Sequence, residues 1–88
     1  MIEQELLIVN RLGLHARASA LFVKTANQFV SEVKLVRDGI EVNGKSIMGV
    51  MMLAASQGTR VNLILDGVDE QEAMKALSEL INNGFGEE

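Results

Sequence analysis

One histidine occurs in the chain, His15, and Arg17 follows it two residues later. A neutral imidazole nitrogen is a competent nucleophile, and a guanidinium can hold the oxygens of an anion carried on it. Leu6-Leu7-Ile8-Val9 reads as a strand, and Asn10, Arg11 and Gly13 read as a loop. Beyond them, Ala18, Leu21, Phe22, Ala26 and Phe29 recur at the spacing of one helix face. His15 therefore stands at or just before a helix start, where unpaired backbone N–H groups and the positive end of the macrodipole favour anions. The combination suits a histidine that accepts a phosphoryl group. Each residue alone has a plainer reading, the histidine as an exposed or structural side chain and the arginine as a solvated charge.

The elements that must position these groups can be read in turn. A first strand is expected over Glu3 to Val9 and a first helix over Ala16 to Val30. Alternation through Val33 and Leu35, then Asp38-Gly39, then Ile40-Glu41-Val42 predicts a hairpin, because both turn residues tolerate positive φ. Asn43-Gly44 is a second turn, after which Ser46 can cap a short helix reaching about Leu53. Val61 to Leu65 is the fourth strand. Asp69 and Glu72 have the spacing of a capping box ahead of a last helix, which carries Ala73, Leu77, Leu80 and Ile81 on one face and stops at Asn82-Asn83-Gly84. The order is β-α-β-β-α-β-α in a single domain spanning 1–88. The simplest way to bury every apolar stripe is an α+β fold with a four-stranded sheet and its helices on one face. The pattern makes antiparallel pairing secure only for the central hairpin, and a ferredoxin-like order is the alternative.

Composition narrows the chemistry. The chain has 88 residues, no cysteine and one histidine, so disulfides are excluded and a zinc site would need carboxylates for most of its ligands. A net charge of −4 without Trp or Tyr argues against a nucleic-acid partner. No stretch has the length and apolarity of a membrane span or a leader, so a soluble, cytoplasmic protein is expected. Arg11, Arg17 and Lys24 gather around His15 in the sequence. Asp66, Asp69, Glu70, Glu72, Glu79, Glu87 and Glu88 load the C-terminal part. A basic site on an acidic protein suits an anionic group or an acidic partner surface.

Two further segments invite a reading. Gly39 to Ser46 fits the written pattern of a phosphate-binding P-loop, and Val61 to Asp66 resembles the acidic strand that accompanies it. Ile40-Glu41-Val42 alternates like a strand, however, where a P-loop needs backbone N–H groups wrapped around phosphate. In the Met-rich segment, Ile47, Val50, Met51 and Ala54 share one helix face, while Met48 and Met52 lie elsewhere. A short helix cannot bury every side, so at least one of Met48 and Met52 is expected in solvent, where methionine adapts to differently shaped partners.

Gly13-Leu14-His15-Ala16-Arg17 resembles the active-site signature of the HPr family, the phosphohistidine carriers of the bacterial phosphotransferase system. Lys45-Ser46-Ile47-Met48 resembles the family's regulatory-serine segment, and Ser56-Gln57-Gly58-Thr59 with Asp69-Glu70-Gln71-Glu72-Ala73 resembles its last strand and helix. The resemblance covers nearly the whole chain. It implies an open-faced β-sandwich with a mostly antiparallel sheet. It also implies that His15 accepts phosphate at Nδ1 from enzyme I, itself charged by phosphoenolpyruvate, and passes it to an enzyme IIA-type acceptor. Ala16 and Arg17 would supply backbone N–H groups, Arg17 its guanidinium as well, and Ser46 a target for HPr kinase/phosphorylase. Ile47, Met48, Met51 and Met52, with the start of the first helix, would form the docking face. No metal, nucleotide or other cofactor is implied, and a monomer with small transient interfaces is expected. Ala18 departs from the family's usual proline. The Ala-Arg-Ala version resembles nitrogen-branch carriers or proteobacterial relatives, and alanine, a strong helix former, still permits the turn.

Overall fold

Every strand pair in the sheet is antiparallel. The structure, a computed structural model, describes residues 1–87. Its strands are β1 (Ile2–Leu7), β2 (Glu32–Arg37), β3 (Ile40–Asn43) and β4 (Arg60–Asp66), and its helices α1 (Ala16–Ala26), α2 (Ile47–Met52) and α3 (Glu70–Asn82). The sheet order is β1-β4-β2-β3, which puts the last strand beside the first. Leu6 lies opposite Val61, and Leu35 lies between Leu63 and Val42. This is the open-faced arrangement rather than the ferredoxin-like alternative.

Alternation along the strands assigns the two faces. Leu6, Val33, Leu35, Val61, Leu63 and Leu65 are buried on one side. Glu3, Glu5 and Glu41 lie on the other, which stays open to solvent. Phe22 and Ala26 of α1, Val50 of α2, and Ala73, Leu77 and Ile81 of α3 join the same apolar cluster, so the helices cover one face only. Asp38 (φ 50°) and Gly39 (φ 80°) form the two-residue turn of the β2–β3 hairpin, as the Asp-Gly pair predicts.

Beyond one-residue shifts at the ends of β1, α2 and β4, three features differ from the sequence reading. β1 closes at Leu7, although Ile8 still donates to the Thr59 carbonyl and accepts from Gly58. Helix α1 ends at Ala26 rather than Val30. Gln28 and Phe29 make tight turns back to Thr25 and Ala26, and Phe29 packs against the core from that turn, which is why the apolar period ran past the true end. The third difference concerns Asp69. It occupies the N-cap position of α3, but its side chain caps nothing there. It accepts instead from the Val30 and Ser31 amides at 2.9 and 3.0 Å and from the Ser31 hydroxyl at 2.5 Å. These bonds, the Ser31 hydroxyl first, hold its carboxyl below the usual carboxylate range. Glu70, not Glu72, reaches back, accepting from the Gly67 amide. The expected capping box does not form because three donors from the α1–β2 connection outbid one helix amide.

Candidate functional site

His15 is the N-cap residue of α1, extended at φ −73° and ψ −179°. The first bond of the helical ladder runs from the Ser19 amide to the His15 carbonyl at 2.8 Å, so the amides of Ala16, Arg17 and Ala18 precede the ladder. Ala18 itself is buried in the core. The loop ahead of the helix is tied down on several sides. Asn10 accepts from Gly13 through its backbone and donates its side-chain amide to the Gly13 carbonyl at 2.8 Å. Leu14 donates to Ala55 at 2.9 Å, and the Ser19 hydroxyl donates to the Leu14 carbonyl at 3.0 Å. Gly13 has φ +65°, and a Cβ there would lie 2.5 Å from the Ala55 oxygen. Only glycine allows that approach, which joins the His15 loop to the α2–β4 connection.

The imidazole has a partner that sequence reasoning missed. Nε2 of His15 lies 2.5 Å from Oε2 of Glu87, and Asn10 donates to the other carboxylate oxygen at 3.2 Å. The hydrogen bond from His15 is the main influence holding the Glu87 carboxyl below the usual range. Partial burial opposes it, and Asn10 and the charge of Arg17 add to it. An ionised carboxylate only accepts hydrogen bonds, so Nε2 carries the proton and the lone pair of the neutral ring resides on Nδ1. Nδ1, bonded to Cγ, is also the ring nitrogen nearer the backbone.

The tail reaches this position through an unusual turn. After α3, Gly84, Phe85 and Gly86 take φ of 61°, 58° and 74°, which seats Phe85 in the core and carries Glu87 back to the loop. No local sequence rule marks a left-handed phenylalanine. The acidic C-terminal part therefore contributes a carboxylate to the basic site instead of standing apart from it; Glu88 lies outside the described residues.

Of the basic residues grouped in the sequence, Arg17 is exposed beside the site. Lys24 belongs to the last turn of α1, nine residues and about 13 Å along the axis from His15, and is not part of it. The P-loop pattern dissolves into other roles. Ile40 to Asn43 is β3, Lys45 donates to the Phe29 carbonyl at 2.6 Å, and the Ser46 hydroxyl caps α2 by accepting from Gly49 at 3.1 Å. On α2 only Val50 is buried; Ile47, Met48, Met51 and Met52 are all exposed. Arg37 donates to the Leu53 carbonyl at 2.8 Å at the far end of this helix.

Residues 2–83 match the family described as PTS HPr component phosphorylation site. The chain is 59% identical over 87 residues to phosphocarrier protein HPr of Neisseria meningitidis, covering 99% of this chain and 98% of that protein. A crystal structure of HPr-C-His from Thermoanaerobacter tengcongensis superposes with a TM-score of 0.96 at 52% identity, covering 100% of this chain and 99% of that one. A structure of an HPr dimer from the same organism superposes at 0.79, also at 52% identity, covering 99% and 100%. The chain belongs to the HPr family of the phosphotransferase system.

Proposed function

We propose that His15 accepts a phosphoryl group from enzyme I and passes it to an enzyme IIA-type acceptor. The observation that carries this reading is the occupation of Nε2 by Glu87, which leaves Nδ1 as the nucleophile. The Nδ1 lone pair attacks phosphorus as the bond to the donor breaks. The product ring is substituted at Nδ1 and protonated at Nε2, hence cationic, and Glu87 balances that charge. On onward transfer the Nδ1–P bond breaks and its electron pair returns to Nδ1. Arg17 and the amides of Ala16 and Arg17 hold the phosphoryl oxygens while the group stays accessible.

In this reading Ile47, Met48, Met51 and Met52 dock the partners, and Ser46 is the regulatory site for HPr kinase/phosphorylase. The carrier acts as a cytoplasmic monomer, which sedimentation would check. Among the described residues no helix is long and apolar enough to cross a membrane. Incubation with enzyme I and labelled phosphoenolpyruvate tests the assignment. The wild type should take up one phosphoryl group at Nδ1 by nitrogen-15 NMR, and His15→Ala should take up none. Equal labelling of the two would falsify it. Purified sugar-branch and nitrogen-branch acceptors, offered in turn, identify the recipient.

A further inference from the structure

The chain contains no Cys, Trp or Tyr, so its thioethers are its most easily oxidised groups. Their placement is uneven. Met74 is 8% exposed, whereas Met48 and Met52 are 72% and 74% exposed, one helical turn apart on α2. Met51 beside them is 40% exposed. Past the cap residue Leu53 and a turn at Ala54 (φ 52°), the chain leaving α2 reaches Ala55, whose carbonyl accepts from the Leu14 amide next to His15. Met1 is also open at 78%, but it lies at the opposite end of the sheet, where its amino group pairs with Glu70.

We propose that Met48 and Met52 form a reversible oxidation site that lowers docking beside His15; this rests on the carrier reading. A thioether sulfur attacks a peroxide oxygen, the S–O bond forms, the O–O bond breaks, and the peroxide is reduced to water as sulfur loses two electrons. A methionine sulfoxide reductase reverses the step, with a dithiol oxidised to a disulfide and the oxygen leaving as water. The sulfoxide replaces a flexible apolar surface with a polar one, and because both side chains stand in solvent, the added oxygen displaces no core packing. Val50 and Leu53, both buried, continue to hold the helix.

The test treats the intact protein with hydrogen peroxide and follows oxygen uptake by peptide mass spectrometry. Met1, Met48 and Met52 should gain oxygen well before Met74, with an unchanged melting temperature. Each form is then compared with its own untreated state in transfer from enzyme I at limiting carrier. The wild type should fall about tenfold, the equivalent of losing most of one methionine's burial at the interface. Sulfoxide reductase should restore it. Met51→Leu alone should fall as the wild type does, while a Met48→Leu, Met51→Leu, Met52→Leu triple variant, which keeps Met1 and Met74, should hold its own untreated rate. Unchanged transfer by wild type oxidised at Met48 and Met52, or an equal fall in the triple variant, overturns the proposal. An untreated wild type that accepts no phosphate overturns the carrier reading and the docking consequence with it, while the oxidation map still reports which sulfurs react.

Discussion

Nε2 of His15 and Oε2 of Glu87 lie 2.5 Å apart although 72 residues separate them in the chain. The carboxylate fixes where the imidazole proton resides and faces the ring from the side away from Nδ1. It also joins the C-terminal tail to the loop that precedes α1, with Asn10 bonded to both.

Glu87→Ala should release the ring. A hydrogen-bonded Nε2–H proton should be visible by NMR in the wild type and lost in the variant. Transfer from enzyme I should slow roughly tenfold, the lower end of what a metal-binding histidine loses with its carboxylate partner. The same proton signal and rate in both proteins would remove Glu87 from the site. The pH dependence has a defined sign. The Glu87 carboxyl is lowered in the folded state, so its contribution to stability is present above the ordinary Glu value and lost as pH falls through the folded value. The urea midpoints of wild type and Glu87→Gln should differ at pH 7, begin to approach one another only as pH falls below the ordinary Glu value of about 4.3, and meet below the folded value.

Arg17→Ala should slow phosphoryl transfer in both directions while leaving the fold intact. The side chain is exposed, so the stability change should stay within about 0.5 kcal/mol. Unaltered forward and reverse rates would take the guanidinium out of the mechanism.

Ser46→Ala removes the hydroxyl that accepts from Gly49 and should cost about 1 kcal/mol without affecting transfer. Ser46→Asp can still cap α2, but it adds negative charge at the edge of the proposed docking helix. It should reduce the rate of His15 phosphorylation, most strongly at low salt. If Ser46→Asp matches wild type there, the residue is a cap and nothing more.

Gly13→Ala and Gly39→Ala make a matched pair. Both positions have positive φ, but a Cβ at Gly13 would strike backbone atoms of Ala55 and Ser56, while Gly39 has nothing within 4 Å. Gly39→Ala should cost about 1 kcal/mol from backbone strain alone. Gly13→Ala should cost roughly 3 kcal/mol and also slow transfer, because the connection to Ala55 must give. Equal losses in thermal unfolding would show that the close approach carries no weight.

What could be read in advance was local. His15 at a helix start, Asp38-Gly39 as a turn and Ser46 as a cap each depend on a few neighbouring residues, and all three stand. Asp69 shows where such rules fail. Its spacing to Glu72 is that of a capping box, yet the donors that claim it come from Val30 and Ser31, which only folding brings near. Glu87 is the larger gap. Nothing in Gly84-Phe85-Gly86-Glu87 announces that three successive positive φ angles turn the chain back, since Phe85 takes that conformation for the sake of its place in the core. Half of the site was visible as sequence, and the other half exists only as a long-range contact.

Met1 and Glu87 therefore offer unequal handles. Met1 lies beside Asp66 and Glu70, at the end of β1 remote from the loop, while Glu87 rests on the imidazole. A fluorophore, affinity tag or fusion partner joined ahead of Met1 is carried at the far end of the molecule. The same attachment made through the Glu87 carboxylate removes the group that orients His15. Kinetic probes therefore belong at the Met1 end of β1, and any change at Glu87 is a change to the site.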